Sequence, residues 1–268
     1  ISGRQGIVQD LNRNSLLSTT SHIRRLVTPL PSGTKAIGPR KLHGSQWGFI
    51  CPIDSPDGAN TGLLNHLTII CSVTTNRNES DMIHALIDLD IILLNNIVYK
   101  DLYQSTKVIL NGAWIGLHDN PIYLVHILKL MKLNSIINNH TSISWNTTMN
   151  EFYIFTDSGR AIRPVYRLVN RKNKLIAGDY NEMINWNKCI SGLMYNKTDP
   201  NIDYHRDEFI NILKKKDYIK YLEDNTAPIE YIDSMESNYC FIAKDMYSIN
   251  KDYTHCEIHS SLIMSPIA

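Results

Sequence analysis

The chain has 268 residues, 43% hydrophobic and 20% charged, with a net charge of +1. These globular values exclude wholesale disorder and leave room for more than one small domain with a sizeable core. Five scattered cysteines, odd in number and never spaced Cys-x-x-Cys, argue for a reducing compartment and against a zinc knuckle or disulfide framework. The apolar stretch Met82 to Val98 is interrupted by Asp88, Asp90, Asn95 and Asn96, so no membrane helix is expected.

Charge is distributed unevenly. Between Ile1 and Ile50 the cations are Arg4, Arg13, Arg24, Arg25, Lys35, Arg40 and Lys41, and the only anion is Asp10. Such a segment suits a polyanion, because each phosphate neutralised releases condensed counterions. Residues 1–74 are rich in turn formers (Pro29, Pro31, Gly33, Gly38, Pro52, Pro56, Gly58) and read as loops and short strands. One helix is expected near Leu16–Arg25, and the β-branched segment Leu64–Thr74 predicts a strand. Residues 75–168 read as an α+β unit. Asp81–Ile87 suits a short helix, and Asn111-Gly112 between Lys107–Leu110 and Ala113–Gly116 predicts a hairpin on a type I′ turn. Asn120-Pro121 caps a helix to about Leu133, with Ile122, Val125, Leu128 and Met131 on one stripe. Strands are expected at Glu151–Phe155 and Ala161–Val165. Residues 169–247 alternate expected helices (Asn181–Met194, Asp207–Tyr218) with strands (Ile229–Ile232, Tyr239–Ala243), and residues 248–268 begin a further element. The fold class is therefore α+β in several short domains. The chain opens on Ile1 and closes on an apolar run without a cap, which reads as a piece of a longer polypeptide.

Two motifs are decoys. Gly33-Thr34-Lys35-Ala36-Ile37-Gly38 has the glycine spacing of a P-loop, but Pro39-Arg40 follows where Lys-Ser/Thr is required. His255-Cys256-Glu257 with His259 offers metal-ligand types at close spacing, yet the order is not His-Glu-x-x-His. Asp54 and Asp57 bracket Ser55-Pro56, which suits either paired carboxylates for proton transfer or a turn in which each Asp bonds backbone amides.

Four blocks at the start of the chain carry a resemblance: Gly6-Ile7-Val8-Gln9-Asp10-Leu11-Asn12-Arg13; Ser21-His22-Ile23-Arg24-Arg25; Pro39-Arg40-Lys41-Leu42-His43; and Trp47 through Gly58. Together they resemble the fork region of the second-largest subunit of multisubunit RNA polymerases. Val108–Gly116 and Ile154–Pro164 resemble its external-1 domain, Ile229–Asp233 its external-2 domain, and Tyr253–Ser261 the opening of its hybrid-binding domain. Trp47 and the Thr254-His255-Cys256-Glu257 block lean toward the eukaryotic or large-DNA-virus form.

The resemblance implies four segments: a fork (1–74), external 1 (75–168), external 2 (169–247) and the start of the hybrid-binding domain (248–268). It implies partners in template DNA, transcript RNA, nucleoside triphosphates, the largest subunit and other subunits. It also implies an intracellular setting, in a nucleus or a cytoplasmic viral factory. Magnesium ions would be held by aspartates of the largest subunit, so this stretch would contribute no metal ligand and no catalytic residue, and alone would be inactive. Gln9 matches a glutamine lying along the RNA near its growing end, and Asn60, in Asp-Gly-x-Asn, is placed similarly. Lys35 lies at a fork-loop tip beside downstream DNA; Arg40 and His43 lie near the incoming nucleotide or the downstream strands; Asp57 forms a wall of the active centre. Family members usually carry Glu at Asp54 and at Asp57. Of Arg24 and Arg25, one is expected to brace the fork and the other to face nucleic acid. The bacterial counterpart of Gln9–Val27 lines the rifamycin pocket, where Asp10, Asn12 and Arg13 depart from the bacterial pattern. Two other readings are a stand-alone nucleic-acid-binding module and a metal-dependent hydrolase built on His255 and His259.

Overall fold

The computed structural model describes residues 8–28, 30, 34–98, 105–169, 174–175, 185–195 and 202–268. The fold is α+β and divides into two compact units, one formed by residues 1–72 with 257–268, the other by 73–256.

The first unit contains little regular structure. Helix α1 (Leu16–Ile23) begins at a capping box in which the Ser15 and Ser18 hydroxyls accept from each other's backbone N–H at 3.1 and 3.0 Å. Strand β1 (Arg25–Val27) pairs antiparallel with β2 (Leu64–His66), Arg25 opposite His66. Single 3₁₀ turns occur at Gly38–Arg40, Gly44–Gln46 and Gly58–Asn60. The apolar core is small, drawn from Phe49, Cys51, Leu63, Leu67, Cys71 and Ile263. Hydrogen bonds supply much of the remaining order.

The strand expected over Leu64–Thr74 ends at His66 and resumes only as β3 (Ser72–Val73). Its middle is diverted: the N–H groups of Ile69 and Ile70 donate to the carbonyls of Met264 and Leu262, and Cys71 N–H turns back to Thr68. The Arg24 guanidinium then takes the carbonyls of Thr68 and Cys71. Side-chain and distant backbone partners have replaced a ladder.

The second unit has the larger core. Helix α2 (Glu79–Ile87), capped by Asn78, leads to β4 (Ile92–Leu93). Strands β5 (Thr106–Leu110) and β6 (Ala113–His118) form the expected hairpin, with Asn111 at φ 49° and Gly112 at φ 86°. Helix α3 (Pro121–Leu133) follows its Asn120 cap. Its inner face is Leu124, Ile127, Leu128 and Met131, whereas Ile122, expected on the stripe, is 70% exposed in the first turn. Strand β7 (Ser142–Asn146), which short polar composition hid, joins β8 (Glu151–Phe155) to complete a five-stranded sheet in the order β4-β6-β5-β8-β7.

Strand β9 (Ala161–Val169) runs longer than expected and pairs with β10 (Lys174–Leu175). Helices α4 (Trp186–Ser191), α5 (Arg206–Leu213) and α6 (Tyr218–Asp224) precede β11 (Ile229–Asp233) and the short α7 (Ser234–Ser237). Residues 181–184 of the first expected helix lie outside the described residues. The expected Asp207–Tyr218 helix is split because Lys214–Asp217 offer no apolar side chain to continue the Phe209/Ile212 face. The last strands are β12 (Ile242–Ala243) and β13 (His255–Cys256). Tyr239 and Cys240 are not in strand, since their N–H groups turn back to Glu236 and Ser237. Strand β9 carries β11 and β13 as antiparallel neighbours, and β12 lies parallel to β13. One core runs from Met82 through Ile154 to Phe209 and Leu222, so residues on both sides of position 168 share it.

Candidate nucleic-acid interface

The basic residues of the first unit differ sharply in how many donors they keep. Arg24, in the turn after α1, is half-buried and spends its guanidinium on the carbonyls of Thr68 and Cys71. Arg40 donates from Nη1 to the carbonyls of Ala59 and Thr61, both at 2.8 Å, and from Nη2 to Thr34 at 3.0 Å. It thereby clasps the loop carrying Lys35 to the turn carrying Asp57 and Asn60. The backbone of Arg40 lies so close to Gly62 that a Cβ there would stand 2.4 Å from its carbonyl oxygen, and Gly62 has φ +72°. Only glycine meets both conditions. Ser55 seals the base, accepting from Gly62 N–H at 2.9 Å and donating to Leu64 O at 3.1 Å.

On this base Lys35, Asp57 and Asn60 are all exposed, and the Asp57 side chain makes no cap bond to the 3₁₀ turn it precedes. His43 is exposed too, with Nδ1 engaged by Ser45 at 2.8 Å. Gln9 stands apart: its Oε1 meets His22 Nε2 at 2.8 Å, which ties the incoming chain to α1.

Arg25 is arranged differently from Arg24 and Arg40. Only its Nε–H has a bond, to His66 Nε2 at 3.2 Å. Accepting there leaves Nε2 without a proton, so the ring carries its proton on Nδ1 and donates to Asp54 Oδ2 at 3.1 Å. Asp54 also accepts the Ser265 hydroxyl at 2.6 Å. Of the two readings open for Asp54, a structural role is the one its contacts carry, although through side chains and not backbone amides. The series Ser265–Asp54–His66 holds Arg25 by its inner edge, and the outer guanidinium nitrogens make no hydrogen bond or ion pair with the described residues. Such an arginine presents a fork suited to a phosphate or carboxylate.

Sequence reasoning missed His66 and Ser265. His66 carried no motif, and Ser265 reaches Asp54 from 211 residues away. His255 and His259 do not converge: His255 bonds Glu230 at 3.1 Å and His259 bonds Ser261 at 2.6 Å. Among the described residues no three His, Cys, Asp or Glu side chains come together as metal ligands. No described helix is long and apolar enough to cross a membrane.

Comparison with known proteins follows the division between the units. Residues 9–73 match the family described as RNA polymerase Rpb2, domain 3, and residues 108–168 match RNA polymerase Rpb2, domain 4. The chain is 30% identical to DNA-directed RNA polymerase II subunit RPB2 of Encephalitozoon cuniculi, over 97% of this chain and 21% of that protein. It is likewise 30% identical to DNA-directed RNA polymerase II subunit 2 of Arabidopsis thaliana (99% and 21%) and to DNA-directed RNA polymerase subunit 2 of Acanthamoeba polyphaga mimivirus (99% and 22%). The chain thus spans about a fifth of the length of these relatives. With two successive domain families in register and similarity along nearly its whole length, the chain belongs to the second-largest subunits of multisubunit DNA-directed RNA polymerases.

Proposed function

We propose that this chain holds RNA, incoming nucleotide and downstream DNA in register beside the active centre of a DNA-directed RNA polymerase. The observation that carries the reading is the Arg40 clasp, which sets Lys35, Asp57 and Asn60 on one base while Arg25 keeps its outer donors. Amide and cationic donors of this kind fix the position of a sugar–phosphate backbone and carry no sequence preference. Their contribution to the reaction is alignment of the reacting groups. Gln9, separately, lies along the transcript, and His43 lies toward the nucleotide. Arg24 braces the fork and Arg25 faces nucleic acid. The four segments 1–74, 75–168, 169–247 and 248–268 act as fork, external 1, external 2 and the opening of the hybrid-binding domain.

The chemistry is nucleotidyl transfer, for which magnesium supplies alignment of the RNA 3′ hydroxyl and the leaving pyrophosphate. In this reading its ligands belong to the largest subunit. The same reading makes the chain a contributor to the intact enzyme, inactive alone. Its partners are that subunit, the other subunits, DNA, RNA and nucleoside triphosphates, in a nucleus or a viral factory. A stand-alone binding module is disfavoured, because similarity runs beyond the basic segment into the second unit. The test is a transcript with a photoreactive 3′-terminal nucleotide in the polymerase that contains this chain. Crosslinks at Gln9 or within residues 34–60 support the reading, and crosslinks confined to other subunits overturn it.

A further inference from the structure

The second unit contains a cavity of about 670 Å³, between α3, β7, the end of β9 and β13. That volume is within the range of roughly 300–1,000 Å³ typical of small-molecule sites. One wall is apolar and partly aromatic, formed by Val125, Leu133, Trp145, Leu168 and Tyr253. The other is charged: Lys129, Arg167, Glu230 and His255 line it.

Lys129 and Arg167 are half-buried, yet neither side chain makes a hydrogen bond or ion pair with any described residue. Arg167 Nη1 and the indole N–H of Trp145 are shut off from solvent without an acceptor. Native interiors rarely leave such donors unmatched. Glu230 attracts Lys129 through space but is shared with His255 at 3.1 Å and Lys132 at 3.7 Å, and Glu236 is clasped by Lys132 behind it. Burial opposes the charged His255 ring, but Cys240 and Glu230 overcome it and raise its pKa to about 9, so the ring is a cation at neutral pH. Four cations (Lys129, Lys132, Arg167, His255) therefore face two carboxylates, and two positive charges remain.

We propose that this cavity binds a phosphate monoester carried on a flat apolar or aromatic body. A monoester carries about −1.5 to −2 at pH 7, which matches the surplus better than a single carboxylate. Its oxygens accept from the Lys129 ammonium and from the part of the Arg167 guanidinium outside the shut-off Nη1, and its apolar body lies against Trp145, Tyr253 and Leu168. The site shares no residue with the basic surface of the first unit and does not depend on the function proposed for it.

Isothermal titration of the 268-residue chain with phenyl phosphate, and separately with inorganic phosphate, tests both halves of the proposal. Phenyl phosphate is expected to bind at least tenfold more tightly than inorganic phosphate, and Lys129→Met and Arg167→Gln are each expected to weaken it tenfold or more. In the unaltered chain, phenyl phosphate is expected to slow reductive methylation of Lys129 at least tenfold while leaving exposed Lys214 unaffected, so the outcome does not depend on the variants folding. Absence of phenyl phosphate binding, equal binding of the two phosphates, or an unprotected Lys129 overturns the proposal.

Discussion

Lys132 is a buried charge in the second unit. It is 2% exposed and places Nζ 2.9 and 2.7 Å from the two Glu236 oxygens, with Glu230 at 3.7 Å. In Lys132→Met most of the methylene volume remains, so the loss is electrostatic. Among the described residues Glu236, also 2% exposed, then keeps one side-chain hydrogen bond, from the Ile143 N–H at 3.0 Å, with Lys129 acting on it through space. Burial already pushes its carboxyl above the ordinary range, with Lys132 pulling the other way. Without Lys132 the folded state holds Glu236 protonated. At pH 7 that proton must be taken up against an unfolded pKa of about 4.3, which costs about 4 kcal/mol; at pH 5 it costs about 1 kcal/mol. The first figure agrees with the ~3–5 kcal/mol found when one partner of a buried pair is removed. Urea unfolding at pH 7 and pH 5 measures both values, and Lys132→Met/Glu236→Leu should recover most of the pH 7 loss. A loss below about 1 kcal/mol at pH 7, or one equal at both pH values, would refute the reasoning.

His255 has a folded pKa raised to about 9 from 6.5, so its stabilisation is complete below pH 6.5 and is lost as pH rises through 9. The shift corresponds to roughly 3 kcal/mol, and the protection factors of the β11 and β13 amides, with the intrinsic pH dependence of exchange divided out, should fall over that window in the natural protein but not in His255→Gln. Asp54→Asn lets an amide N–H face His66 Nδ1, which moves the ring proton to Nε2, against the Arg25 Nε–H. That variant should weaken nucleic-acid binding, as Arg25→Ala is expected to, and unaltered binding would show that the tautomer does not matter. Rifampicin at micromolar concentration should leave short-transcript extension intact, because Asp10 puts a charge where a drug ring would bury it unpaired, at a cost of several kcal/mol. Inhibition at that concentration would contradict this.

Local chemistry was legible where a few adjacent residues decide the outcome. Asn111-Gly112 set its turn, Asn120-Pro121 its helix start, and the family blocks their order along the chain. The interruption of Leu64–Thr74 was not legible, because its carbonyls and amides are claimed by Arg24 and by residues 262–264. Strand β7 was hidden for a related reason: it is held by its ladder to β8 and by the Ile143 N–H to Glu236, neither of which alternation in a short polar run reveals. At the interface, Lys35, Asp57 and Asn60 were legible as a group only through resemblance. The difference between Arg24 and Arg25 required seeing that one is surrounded by carbonyls and the other abuts a single imidazole.

The central claim is that the first unit's basic surface grips phosphates through the cations whose donors remain available. The measurement that tests it most directly is the salt dependence of RNA–DNA scaffold binding by the intact polymerase, compared among Arg24→Ala, Arg25→Ala and Lys35→Ala. Arg25→Ala and Lys35→Ala should each reduce the slope by about one unit, and Arg24→Ala should leave the slope unchanged while weakening the fold. A slope unchanged by Arg25→Ala and by Lys35→Ala would contradict the account.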